Sequence, residues 1–302
     1  MPLWRFITLV VLGTGTAISL ATWFFPTLDD FRTENEFWNG LQDIKLQYGI
    51  NPIHSFDELL ENSNNSLLIM IPEIEPTTKE LDQLNAYVEN GGILLLANDY
   101  GTGNIILQHM DVLAQFSNQP LLDPLINAGD PRLPLATDLL ASPLTKGVKS
   151  LSLNHATTIE GDGLAKIARS SSFSFLDIDN DTFADGDEPR GPFTILAQTR
   201  VGGGELILLA DPSLLINAMV ESGDNIVFFD NLTRMLGEET LIYIDEMHLS
   251  NSTTQKSKQL LFNLRAMLSQ PLPITLLITI LTISLLYPTW RKKGAPVWTK
   301  TP

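Results

Sequence analysis

Residues 66–71 read SLLIMI, residues 76–92 read PTTKELDQLNAYVENGG, and residues 93–97 read ILLLA. The first and third are short apolar runs bounded by polar or turn residues, the pattern of strands buried on both faces. Between them Leu81, Leu84 and Val88 recur at helical spacing, with Tyr87 beside them. Thr77 or Thr78 suits the N-cap, Glu80 supports the start, and Gly91 and Gly92 end the helix. Strand, helix and strand within about 30 residues predict a right-handed βαβ unit with parallel strands.

Working outward, FTILAQTR (193–200) and ELILLA (205–210) flank a glycine-rich gap and predict a hairpin. Asp211-Pro212 then reads as an N-cap followed by proline at the first helical position. Helical stretches are expected over about 213–219 and 224–236, an apolar strand over 240–244, and an early helix over about 36–48. Residues 119–163 are rich in proline and loops. Parallel and antiparallel pieces together predict an α/β fold, a mixed, mostly parallel sheet flanked by helices.

The chain has 302 residues, a formal charge of −16 and no cysteine. Disulfides, thiolate metal sites and a cysteine nucleophile are thereby excluded. The acidic balance argues against nucleic acid as a partner, which requires a cationic face.

Two uncharged runs set the expected topology. Residues 6–28 hold no charge over 23 positions, and residues 266–290 hold none over 25. About 20 apolar residues cross a bilayer core as a helix. Trp4, Trp23, Phe24 and Phe25 flank the first run, Tyr287 and Trp290 the second, as interfacial aromatics do. Arg5 precedes the first, and Arg291, Lys292, Lys293 and Lys300 follow the second, so the positive-inside rule places both termini in the cytoplasm. The expected layout is a cytoplasmic tail (1–5), a transmembrane helix (6–26), an extracytoplasmic α/β domain (27–250), a connecting helix (251–270), a second transmembrane helix (271–290) and a basic cytoplasmic tail (291–302). The rival for the first run is a cleavable signal peptide, and for the second a buried core helix. Residues 26–270 carry 14 basic and all 35 acidic residues, a balance of −21.

Three constellations are candidates for chemistry. The first is a set of carboxylates following apolar strands: Glu73, Asp99, Asp211, Asp245 and Glu246, with His248 close behind. In open α/β sheets ligands bind beyond the carboxyl ends of parallel strands, so parallel neighbours would bring these groups to one rim. The plainer reading is helix capping, above all for Asp211. The second is DIDNDTFADGDE (177–188). Counting Asp177 as position 1, Asp179, Asp181, Asp185 and Glu188 fall at 3, 5, 9 and 12, and Phe183 offers a backbone carbonyl at 7. This is the ligand spacing of an EF-hand calcium loop, with Thr182 where glycine is usual at position 6. Its flanks read as strands, so a calcium site here would sit in a strand connection; the alternative is a solvated acidic loop. The third is Asp245-Glu246-Met247-His248, where a histidine near a carboxylate can join a metal or a proton relay or make a structural hydrogen bond. His54, His109 and His155 stand alone in sequence. G-x-S-x-G, H-E-x-x-H and G-x-x-x-x-G-K-[ST] are absent.

The stretches IPEIEPTTKELDQLNAYVENGGILLLAND (71–99), DEPRGPFTILAQTRVGGGELILLADPSLLINAMVESGDN (187–225) and IYIDEMH (242–248), in this order and before a closing apolar run, resemble the DUF4350-type family. The resemblance implies a membrane-anchored protein with a flavodoxin-like, class I glutamine-amidotransferase-like domain outside the cytoplasm and one transmembrane helix at each end. Amidotransferases of that fold use a cysteine nucleophile, which this chain lacks, so their chemistry does not carry over. The resemblance further implies an association with a MoxR-type ATPase system and the assembly or maturation of envelope complexes. The leading expectation is a non-catalytic binding or scaffold module, its partners the lipid bilayer and an envelope protein, with calcium as the one candidate cofactor. The alternative is a metal-dependent hydrolase using Asp211, Asp245, Glu246 and His248.

Overall fold

The computed structural model describes residues 3–60, 63–235, 237, 240–270, 275, 276, 278–280, 282 and 283. The chain divides into two units, Pro26–Ser250 and the terminal segments on either side of it.

The unit Pro26–Ser250 is built on one ten-stranded sheet. Its strands are β1 (Asn51–Ile53), β2 (Ser66–Met70), β3 (Ile93–Ala97), β4 (Ala114–Phe116), β5 (Asp138–Leu139), β6 (Ile159–Gly161), β7 (Ala165–Arg169), β8 (Thr194–Val201), β9 (Gly204–Leu209) and β10 (Leu241–Asp245). The order is β1-β10-β2-β3-β9-β8-β7-β5, with β6 pairing both β8 and β4. The strands β1, β10, β2, β3 and β9 are mutually parallel; the rest add antiparallel. The fold is therefore mixed α/β. Numbered along the chain, the parallel block runs 1-5-2-3-4, whereas flavodoxin runs 2-1-3-4-5. The expected flavodoxin order is corrected on this point: β10 returns past β3 and β2 and inserts between β1 and β2, where Ile242 and Ile244 are buried.

The βαβ unit follows its local chemistry. All five residues of β2 are buried. Helix α4 (Thr78–Glu89) opens with a capping box: the Glu80 backbone N–H donates to Thr77, and the Thr77 N–H donates to the Glu80 carboxylate at 2.8 Å. Leu81, Leu84, Tyr87 and Val88 face the core. The Tyr87 hydroxyl, 2.8 Å from the Ser66 carbonyl and 3.2 Å from that of Ile93, ties the helix to the strands before and after it. The β8–β9 hairpin turns at Gly202, whose φ of +57° lies in the left-handed region.

The early helix is shorter than expected: α2 covers Gln42–Tyr48 only. Residues before it turn around Asn35, whose side-chain amide donates to the Asp29 carbonyl and whose side-chain oxygen accepts from the Phe37 N–H. The stretch expected to be helical after Asp211 is a 3₁₀ turn, Pro212–Leu215, and a full helix, α6 (Asn225–Met235), follows. Helices α3 (Asp57–Leu60) and α5 (Gly103–His109) complete this unit.

In the terminal unit, α1 (Leu3–Phe24) has no buried side chain among those described, and Arg5–Phe24 is long and apolar enough to cross a membrane. Helix α7 (Thr253–Leu268) packs on it, with the Trp23 and Phe262 rings 4.6 Å apart and the Arg265 guanidinium 5.7 Å from the Trp23 ring centre. Among the described residues α1 is the one helix of this kind. The second expected span, 271–290, and the basic tail fall largely outside the described residues, so two spans are not established.

Candidate functional site

After β1, β2 and β3 the chain moves across the sheet in one direction; after β9 it moves back. Right-handed crossovers put connections of opposite direction on opposite faces. The packing agrees: α4 lies beside α3 and α5, while Tyr48 of α2 meets Phe229 of α6 edge-on at 4.8 Å. The connections therefore diverge between β3 and β9. A crevice opens at such a switch point, beyond the carboxyl ends of the strands.

A cleft of about 450 Å³ lies there. It is lined by Glu73 after β2, Asn98, Asp99 and Tyr100 after β3, Ser213 after β9, and Asn154 and His155 from the long insertion. Asp30, Trp38 and Asn39 close it from the segment preceding α2. Burial pushes the Asp99 carboxyl above its usual range, and the charge of Glu73 adds to this against the N–H of Tyr100. Asp211 is wholly buried beside the cleft, and accepts the N–H groups of Asn154 at 2.6 Å and Ser213 at 2.8 Å. Burial raises it to about 8, with those N–H groups opposing and the Asp99 charge assisting. His155 holds a left-handed backbone, φ +59°, which a non-glycine residue keeps only when its surroundings impose it. A larger, shallower depression of about 1150 Å³ runs along β4 and β6, away from these groups.

The remaining expected rim residues serve elsewhere. Asp245 is buried at the end of β10 and holds His248: its Oδ2 lies 2.5 Å from His248 Nδ1, and its Oδ1 accepts the Met247 N–H. His248 Nε2 stands 3.6 Å from Glu80 Oε2, and its ring stacks on Phe56 at 5.6 Å. Burial lowers the affinity of His248 for its proton; Asp245 and then Glu80 raise it, and the net shift is upward. Glu246 accepts the Thr33 N–H at 2.8 Å and pairs with Arg32 at 3.4 Å. The strand ends do bring the carboxylates to one rim, but only Glu73 and Asp99 line the cleft, with Asp211 against it. Asp211, Asp245, Glu246 and His248 do not form a metal set: among the described residues, the groups of three or more whose ligand atoms lie within 4.8 Å of one another are both in the acidic loop.

Those groups are Asp177, Asp179 and Glu188, and Asp179, Asp181 and Asp185. Asp177 and Glu188 are buried at the loop base. Asp177 accepts the N–H groups of Asp181 and Thr182, and Glu188 those of Ile178 and Asp185. Thr182 has φ +69°, the conformation that glycine supplies at this position of an EF-hand loop. Phe183, at position 7, has its side chain in solvent. Repulsion from Asp181, then burial and Asp179, raises Asp185.

Sequence reasoning missed Asp30, Trp38, Asn98, Tyr100, Asn154 and His155. Asn98 and Tyr100 adjoin a residue it singled out; Trp38 falls in the stretch expected to be helical that the structure leaves outside α2, and the others come from segments with no periodic pattern.

The chain is similar to solved structures at low identity. The mmIFT52 N-terminal domain is 14% identical with a TM-score of 0.50, over 70% of this chain and 95% of that one. A putative ThuA-like protein from Bacteroides uniformis is 17% identical, TM-score 0.40, over 66% and 82%. A β-galactosidase from Bacillus circulans sp. alkalophilus is 13% identical, TM-score 0.37, over 58% of this chain and 23% of that one. No curated protein matches the sequence. The family described as "Domain of unknown function (DUF4350)" matches residues 41–233, well over half of the sequence, and the chain belongs to it.

Proposed function

We propose that this chain is a membrane-anchored binding or scaffold module with a class I glutamine-amidotransferase-like domain outside the cytoplasm. The observation that carries the reading is the cleft between β3 and β9: it sits where α/β sheets bind ligands, and its lining offers carboxylates, amides and aromatic rings. The site chemistry favours binding over the hydrolase alternative, because Glu246 is engaged with Arg32 and Thr33 and His248 with Asp245 and Glu80, and among the described residues these groups do not gather around a metal position. Helix α1 is the anchor, with a second span after α7 and both termini in the cytoplasm. The counterpart of the domain is an envelope protein, in keeping with a MoxR-type ATPase system, or a ligand in the cleft. Loop 177–188 takes calcium through Asp177, Asp179, Asp181, Asp185, Glu188 and the Phe183 carbonyl.

Two experiments test this. Protease added to sealed, right-side-out cells is expected to digest residues 26–250; digestion only in inverted vesicles would overturn the topology. Full-length protein isolated from membranes is expected to retain a partner or ligand that Asp99→Asn loses. Stoichiometric transition metal together with turnover on a hydrolase panel would replace this reading by the enzyme.

A further inference from the structure

We infer that the cleft between β3 and β9 takes a neutral or amine-bearing saccharide; this rests on the reading above that the cleft is a ligand site. Two of its walls are aromatic and open. Trp38 is 67% exposed and Tyr100 46%, whereas Phe56, Tyr87, Phe116, Phe175, Phe228 and Phe229 are buried almost completely. Large rings left in water at a cleft mouth offer flat apolar faces with a polar edge.

Both rings stand on fixed backbone. The Trp38 carbonyl accepts the Ala218 N–H at 3.0 Å, and Asn217 donates to the Phe37 carbonyl at 2.6 Å and the Asn35 carbonyl at 3.1 Å. Next to Tyr100, Gly101 packs so closely on Pro72 that a Cβ would come within 2.3 Å of its carbonyl oxygen. Thr102 donates to that same carbonyl from its backbone at 2.7 Å and from its hydroxyl at 3.0 Å. Platforms set before binding lose little freedom when a ligand arrives.

The polar lining selects the ligand. Asp30, Glu73 and Asp99 each spend one oxygen within the fold, on Asn39, on the Ser250 N–H and on the Tyr100 N–H respectively. None of the three is in a salt bridge among the described residues, and no Lys or Arg lines the cleft. A phosphorylated or carboxylated ligand would find no Lys or Arg counter-charge, only the His155 imidazole against three carboxylates, and so a repelling field. A wholly apolar ligand would strand the carboxylates without partners. A sugar meets both demands. Its C–H face covers an aromatic ring, and its hydroxyls donate to carboxylates in charge-assisted hydrogen bonds. At about 450 Å³ the cleft is near the small end of ligand sites, room for a short oligosaccharide.

The test uses the full-length protein in detergent on a glycan array holding neutral, amino and uronic-acid oligosaccharides, followed by calorimetry with the hits. Binding to neutral or amino glycans is expected, with uronic acids silent. Trp38→Ala and Tyr100→Ala are each expected to weaken binding at least tenfold with an unchanged melting temperature, both rings being open to solvent. Uronic acids binding as well as neutral glycans, or hits indifferent to both substitutions, would overturn the inference. Silence on the array, with a different small molecule retained by wild type and lost in Asp99→Asn, would defeat the saccharide and leave the cleft as a binding site. Silence with nothing retained would defeat both.

Discussion

Arg32 and Glu246, 214 positions apart, close the domain where the chain enters and leaves it. Arg32 Nη1 donates to the Glu246 carbonyl at 2.9 Å and lies 3.4 Å from its Oε2, while Nη2 reaches the carbonyls of Leu249 and Ser250 at 3.4 and 3.5 Å. Both side chains are more than nine-tenths buried. Removing one member of a buried pair leaves the other charge uncompensated, at a cost of about 3–5 kcal/mol. Glu246→Ala is expected to fall in that range by chemical denaturation of the full-length protein in detergent. Glu246→Gln keeps an acceptor for the Thr33 N–H and is expected to cost less. Equal losses for the two would assign the stabilisation to the charge that both variants lack, and a Glu246→Gln variant as stable as wild type would assign it to packing.

The histidine at the end of β10 makes stability depend on pH. Its imidazole lies between Asp245 of β10 and Glu80 of α4, against Phe56, and its pKa is raised above 6.5 in the folded protein. Below 6.5 folded and unfolded chains both hold the proton, so the contribution is fully present. Above 6.5 the unfolded chain releases it first, and the contribution is lost as pH rises through the folded pKa. Asp211 and Asp99, also raised, act in the same sense, Asp211 up to about 8. Glu80 is lowered, chiefly by the Thr77 hydroxyl, and its contribution is lost instead as pH falls through its folded pKa, below 4.5. The melting temperature is expected to decline from pH 6 to pH 9, with a shallower decline in His248→Gln. An unchanged slope in that variant would remove His248 from the account.

What was legible in the sequence was what local chemistry decides. The β2–α4–β3 unit could be read because SLLIMI and ILLLA are runs that only a buried strand accommodates, and because Thr77 and Glu80 cap a helix by themselves. The carboxylates at strand ends were legible as a set, but their separate duties were not. Glu246 is a clasp because of Arg32, 214 positions away, which has no local signature, whereas Asp245 as a partner of His248 lies within a motif that the sequence displays. The cleft wall from Asn154 and His155 hangs on two-residue strands such as Leu151–Ser152, too short for any periodicity. The position of β10 depends on sheet order, which alternating elements alone do not specify.

Calcium is expected to bind loop 177–188 with the affinity of extracellular sites, roughly 10⁻⁴–10⁻³ M. At ten times that dissociation constant the stabilisation is about 1.4 kcal/mol, visible as a rise in melting temperature that a chelator reverses. Asp177→Asn is expected to abolish the rise, since Asp177 belongs to the buried base of the loop and to one of its two carboxylate groups. No shift at 10 mM calcium would leave the loop a solvated turn.

The β8–β9 hairpin depends on a close backbone approach at Gly204. A Cβ there would fall 2.2 Å from the Gly92 carbonyl oxygen and 2.3 Å from that of Val88. The Val88 oxygen belongs to the last turn of α4 and the Gly92 oxygen to the link between α4 and β3, and Glu205 and Gly203 donate their N–H groups to Gly92 and Glu89 of the same junction. The obstruction is backbone on both sides, so neither element can yield without loosening the α4–β3 junction or the β9–β3 ladder. Gly204→Ala is expected to destabilise by about 1–3 kcal/mol, the usual cost of overpacking. Gly186 meets nothing within 4 Å and has an ordinary φ, so Gly186→Ala, measured in chelator, is expected to stay within about 0.5 kcal/mol of wild type. Similar losses at both positions would mean that glycine flexibility, rather than the approach of the hairpin to the turn, governs these sites.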